Sequence, residues 1–134
     1  MSLNDELTQI TAVAIECEKE IQNGTLDANA IVSKIRSVAG TEAQIAKTGE
    51  MIALLTGTLN QLQLIRLKEL KNQYPHDSHI NELGRRVVKC SMALYSIMSS
   101  VSEMLVTPDV RPTMHAQNQK QMAEFERIFS SFFQ

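Results

Sequence analysis

Apolar residues recur at alternating spacings of three and four positions along most of the chain, the pattern of amphipathic helices. The most regular stripe lies in the second half and contains Ile80, Leu83, Val87, Cys90, Leu94, Ile97, Val101 and Met104. A stripe sustained over this length is typical of a coiled-coil seam. No stretch alternates apolar and polar residues between turn signals, so the sequence predicts no strand.

Breaks in the pattern divide it into five predicted helices, at about residues 4–23, 28–39, 42–73, 78–106 and 114–133. Gly24 and Gly40 follow the first two helices, where glycine commonly ends a helix. The segment Thr41–Gln44 matches a capping box at the start of the third helix. Pro75 ends that helix, because proline disfavours helical geometry in the residue before it.

These elements predict an all-α protein, a four- or five-helix bundle built as a single domain over residues 1–134. Short connections make neighbouring helices antiparallel. We therefore expect the two long helices to form an antiparallel hairpin around Pro75. The core-facing stripe of the third helix is predicted to contain Ile45, Ile52, Leu55, Leu59 and Leu62.

Two glycines, Gly49 and Gly57, lie inside the third helix and eight positions apart. A glycine in a helix interior costs about 1 kcal/mol relative to alanine, so each requires a reason. One interpretation is close approach of another backbone to this face. The other is that Gly57 breaks the helix in two.

Composition supports an ordinary globular domain, with 43% hydrophobic and 21% charged residues among 134. The longest apolar stretch is interrupted by Lys89 and Glu103, so no membrane span is predicted. The first residues lack the basic start and apolar run of a secretory signal, and we expect a cytoplasmic protein. Cys17 and Cys90 lie on apolar stripes and are interpreted as small buried hydrophobes, with their redox state left open.

The net charge of −2 gives no general reason to expect nucleic acid as a partner. Six of the first 30 residues are acidic, whereas the hairpin tip is predicted to gather a basic cluster. That candidate patch consists of Arg66, Lys68, Lys71, Arg85, Arg86 and Lys89. It is interpreted either as a phosphate-binding tip or, as we favour, as a face paired with the acidic first helix.

The stretch "YPHDSH", Tyr74 to His79, raises the question of a metal or acid–base site at His76, Asp77 and His79. Zinc-binding helices place two histidines four positions apart on one face, and these two are three apart and straddle a helix start. Pro75 and a capping Asp77 or Ser78 already explain the stretch as a corner. No nucleophile motif or phosphate-binding glycine loop is present either, so we expect neither an enzyme nor a cofactor.

The last helix contains all four phenylalanines of the chain, within "FERIFSSFF". Such a helix either closes the bundle of its own chain or docks on another protein. Together with the long seam, it suggests a non-enzymatic helical interaction module, a self-associating adaptor, chaperone or accessory subunit of a larger assembly. We expect a protein partner, with a homodimer as the simplest assembly, and no small-molecule substrate. The candidate contact residues are Val87, Leu94, Ile97, Val101, Phe125, Phe129, Phe132 and Phe133.

Overall fold

The computed structural model describes the backbone of residues 3–38 and 40–132 and the side chains of residues 5–38 and 40–131. Its helices are α1 (Leu3–Gln22), α2 (Ala28–Val38), α3 (Glu42–Gln73), α4 (Ser78–Leu105) and α5 (Arg111–Phe132). No strand occurs among these residues. The predicted all-α bundle is confirmed, and the described residues form five helices.

Local hydrogen bonds fix where α3 begins and where the α3–α4 hairpin turns. At the start of α3, the Gln44 amide donates to Thr41 Oγ1 at 3.2 Å and the Thr41 amide donates to Gln44 Oε1 at 2.9 Å, a complete capping box. At the turn, Asp77 Oδ1 accepts from the amides of His79 at 2.9 Å and Ile80 at 3.2 Å, which caps α4. A cap of this kind contributes about 1 kcal/mol to stability.

Helix α4 is the centre of the bundle and contacts each of the other four helices. Two apolar clusters lie along it. The cluster near the hairpin turn joins α3, α4 and α5 through Leu64, Leu67, Leu83, Val87, Phe125 and Phe129, and partly buried residues of α1 pack on it. The cluster at the opposite end joins α2, α3 and α4 through Val32, Ile45, Val101 and Leu105.

Gly49 lies where α3 approaches α4 most closely, and Gly57 does not. A Cβ atom added at Gly49 would stand 2.9 Å from both the Leu105 Cβ and the Ser102 carbonyl oxygen. At Gly57 the nearest atom would be Gln121 Oε1, at an ordinary 3.6 Å. Helix α3 also continues unbroken through Gly57, so close backbone approach explains the first glycine and a helix break explains neither.

Helix α5 begins at Arg111, three residues before the predicted start at Met114. Pro112 is compatible with this position, because the first turn of a helix leaves its amides without helical partners anyway. The Arg111 side chain donates to the carbonyl oxygens of Glu103 at 2.7 Å and Val106 at 3.1 Å, which ties the start of α5 to the end of α4. The sequence analysis assigned both prolines of this segment, Pro108 and Pro112, to the connector and therefore missed the first turn of α5.

Candidate protein-interaction surface

Helix α3 presents large apolar side chains to solvent along its middle third. Leu54 is 70% exposed, Leu59 64% and Leu62 58%. We call this surface the outer face, and its members are Met51, Leu54, Leu55, Leu59, Leu62 and Ile65. Since the buried residues of the same helix include Leu64, Leu67 and Leu70 on the opposite side, α3 is apolar on two faces.

The outer face carries no charge. From Met51 to Ile65 the sequence has no Asp, Glu, Lys or Arg, over a length of about 21 Å at about 1.5 Å per residue. A helix exposed on one side normally places charged residues there, and a helix that is apolar all round is normally buried. Continuous exposed apolar surface of this kind marks a contact site on soluble proteins.

A groove adjoins the outer face, between α1 and α3, with α4 as its floor. Its volume is about 720 Å³. Exposed Val13 on α1 and Leu55 and Leu59 on α3 form its rims, and buried Cys90 and Tyr95 belong to its floor. Among the described residues that line it, Arg66 is the single charged one.

One polar atom in the groove lacks a partner. Asn60 lines the groove and is only 8% exposed, and its Nδ2 atom donates to no acceptor in the described part of the chain. Two hydroxyl groups of the lining are paired: Ser91 Oγ donates to Gln63 Oε1 at 2.6 Å, and Tyr95 Oη donates to Gln121 Oε1 at 2.7 Å. A buried amide group without an acceptor costs the folded chain about 1–3 kcal/mol.

Four of the eight contact residues predicted from the sequence are buried in the bundle. Val87, Val101, Phe125 and Phe129 are at most 5% exposed, and the Phe125 and Phe129 rings pack edge to face with centroids 4.2 Å apart. Of these four, Val87 also belongs to the lining of the groove. The remaining four predicted residues are half-buried Leu94 and Ile97, and Phe132 and Phe133, whose side chains lie outside the described residues.

The predicted basic patch is largely paired within the chain. Arg66 forms ion pairs with Glu6 of α1 and, at 3.0 Å, with Glu69. Arg86 Nη2 donates to Glu18 Oε2 of α1 at 2.9 Å, and this hydrogen bond holds the pKa of the Glu18 carboxyl below its usual value.

The remaining residues of the basic patch are also engaged or close to a carboxylate. Lys71 donates to Asn81 Oδ1 and to the Pro75 carbonyl oxygen. Lys68 and Arg85 take part in interactions of their own within the chain. Lys89 is exposed and contributes to the charge around Glu18. The acidic first helix thus offsets part of the positive charge at the hairpin tip.

The "YPHDSH" stretch is the turn between α3 and α4. Asp77 uses its carboxylate to cap α4, and His76 and His79 are exposed. Within residues 3–38 and 40–132, no group of three His, Cys, Asp or Glu side chains is arranged to hold a metal ion. Nor does any helix in those ranges have both the length and the apolar character of a membrane span.

The outer face was missed in the sequence because three of its six residues, Leu55, Leu59 and Leu62, were placed on the predicted apolar stripe of the third helix, and the other three were not considered. The stripe Ile45, Ile52, Leu55, Leu59 and Leu62 has an average period near 3.5, and such a stripe rotates round a straight helix by about 20° per heptad. Ile45 is buried, whereas Leu55, Leu59 and Leu62 have turned towards solvent. The absence of charge from Met51 to Ile65 was the available signal that a second surface of α3 is apolar.

Compared with protein-family models, with curated proteins and with solved structures, the chain matches none of them.

Proposed function

We propose that this protein is a non-enzymatic helical interaction module, an adaptor, chaperone or accessory subunit, which binds an amphipathic helix of another protein in the groove between α1 and α3. The observation that carries the proposal is an open groove of about 720 Å³ with a single charged residue in its lining. Helix-in-groove recognition uses this geometry, with apolar side chains at i, i+3, i+4 and i+7 as anchors.

A helix suits the groove better than a small apolar molecule does. Pockets for small ligands of this volume usually enclose most of the ligand surface. Here the rims are themselves exposed, with Val13 70% and Leu55 56% accessible, so a small ligand would leave them in water. A helix about 10–12 Å across covers the floor and both rims together.

The test is selection of binders from a displayed library of helical peptides with randomised faces. We expect enriched sequences to share apolar anchors at helical spacing. Val13→Glu, on the α1 rim, should lower the affinity of these peptides at least tenfold. Leu62→Glu, which lies on the outer face and not in the groove lining, is the matched control and should bind them normally.

Two results would contradict the proposal that a partner helix binds in the groove. One is failure of the library to yield any helical binder. The other is a set of peptides that binds the wild-type chain and Val13→Glu equally well.

Self-association and a cytoplasmic location belong to the same proposal. Cys17 interacts directly with Cys90, and the two are not bonded to each other. Fractionation of the native cell tests the location, and recovery of the protein from an oxidising compartment would contradict it.

A further inference from the structure

We propose that a second copy of this chain covers the outer face of α3, with the two α3 helices antiparallel across a two-fold axis near Thr58. This inference extends the proposed function, because it names one partner of an interaction module. The outer face shares Leu55 and Leu59 with the groove rim, whereas its other four residues lie outside the groove lining. Variants at Leu62, outside the groove, and at Val13, outside the outer face, therefore test the two proposals separately.

The apolar area of the outer face suits a homodimer. A fully buried Leu, Ile or Met side chain corresponds to roughly 60–120 Å² of surface removed from water. Its six side chains are between 53% and 70% exposed. Together they present roughly 300 Å² of apolar surface. A standard interface buries about 800 Å² per partner, somewhat more than half of it apolar, so the outer face supplies the greater part of the apolar area that one partner needs.

The order of residues along α3 favours self-pairing. A symmetric dimer requires each surface patch to complement itself. Thr58 stands midway between Met51 and Ile65, and midway between Leu54 and Leu62. A two-fold axis at Thr58 therefore places Met51 against Ile65 of the second copy and Leu54 against Leu62. Four of the six outer-face residues thus meet apolar residues, while Leu55 and Leu59 stand opposite Gln61 and Gly57.

Charges at the two ends of the outer face favour the antiparallel orientation. Lys47 and Glu69 each stand eleven residues from Thr58, at opposite ends, and both are exposed. On a regular helix both lie within about 20° of the Thr58 direction, at about 100° per residue. An antiparallel pair places Lys47 of one copy against Glu69 of the other, twice by symmetry. A parallel pair in register would place like charges against each other.

The test is sedimentation velocity over a wide range of protein concentration. We expect the wild-type chain to convert from monomer to dimer as concentration rises. Leu62→Glu should remain monomeric, because dimerisation would bury a carboxylate, and circular dichroism should show unchanged helix content since Leu62 is exposed in the monomer. Val13→Glu, in the groove, is the matched control and should dimerise as the wild type does.

Charge reversal tests the orientation. Lys47→Glu and Glu69→Lys should each weaken the dimer by roughly tenfold, since two symmetry-related surface pairs are lost. The double variant should recover most of the wild-type affinity, because the antiparallel arrangement restores both pairs.

Three outcomes overturn this inference. If the wild-type chain stays monomeric at every concentration, the proposed dimer does not form. If Leu62→Glu dimerises as well as the wild type, the dimer uses a surface other than the outer face. If the double variant does not recover the dimer affinity of the wild type, the two α3 helices are not antiparallel. Peptide binding in the groove, measured on the same samples, reports separately on the proposed function.

Discussion

Cys90 illustrates how burial sets the chemistry of one side chain in this bundle. The residue is 7% exposed, and its Sγ atom donates to the Ala14 carbonyl oxygen at 3.6 Å. Burial, with smaller contributions from Cys17 and Glu18, raises the pKa of the Cys90 thiol to about 11, from a usual 9.0. The thiolate is the reactive form of cysteine, so Cys90 is an inert part of the packing at neutral pH.

This shift predicts a loss of stability at alkaline pH. The folded state holds the Cys90 proton more tightly than the unfolded state, so the contribution is complete below pH 9 and is lost as the pH rises to about 11. We expect the free energy of unfolding to fall by about 2–3 kcal/mol more in the wild type than in Cys90→Ala over this interval. Urea unfolding at a series of pH values measures the difference, and parallel curves for the two proteins would contradict a buried thiol.

At the scale of the helix, the contact between α3 and α4 depends on the missing side chain at Gly49. Backbone and side-chain atoms of Ser102 and Leu105 occupy the space that a Cβ would need. Gly57 lies on the same helix and faces open space apart from Gln121. The two glycines share a sequence context and differ only in what stands opposite them.

Alanine substitution should therefore have opposite effects at these two positions. We expect Gly49→Ala to lower the free energy of unfolding by about 1–3 kcal/mol, because the helices must separate to admit the methyl group. Gly57→Ala should raise it by up to about 1 kcal/mol, because alanine favours the helix and meets no close neighbour. Chemical denaturation of both variants tests this. A stability increase in Gly49→Ala would show that α3 and α4 do not approach closely there, and a decrease in Gly57→Ala would contradict the open space at that position.

The helices could be predicted from the sequence because their ends are chemically marked and α4 has a single regular stripe. Thr41, Gln44, Pro75 and Asp77 act locally, and local signals are present in the sequence itself. The candidate site was harder to predict. Which face of α3 is buried depends on how α4 and α5 pack on it, and the apolar residues on both its faces give no preference.

At the scale of the whole molecule, the bundle buries one apolar face of α3 and leaves the other in water. The buried face joins the two clusters along α4 and stabilises the chain on its own. The outer face contributes nothing to those clusters, and exposed apolar surface of this kind favours aggregation. Its retention is explained if other proteins, including a second copy of this chain, cover it.

The most direct test of this division compares Leu59→Glu with Leu67→Glu. Both lie on α3, with Leu59 64% and Leu67 5% exposed. The free energy of unfolding is measured by urea denaturation, with both changes made in a Leu62→Glu background so that self-association does not contribute. We predict that Leu59→Glu changes it by less than about 0.5 kcal/mol, as surface substitutions do, whereas Leu67→Glu lowers it by more than about 4 kcal/mol or prevents folding. Equal losses at the two positions would show that the outer face belongs to the core of the chain and is no contact surface.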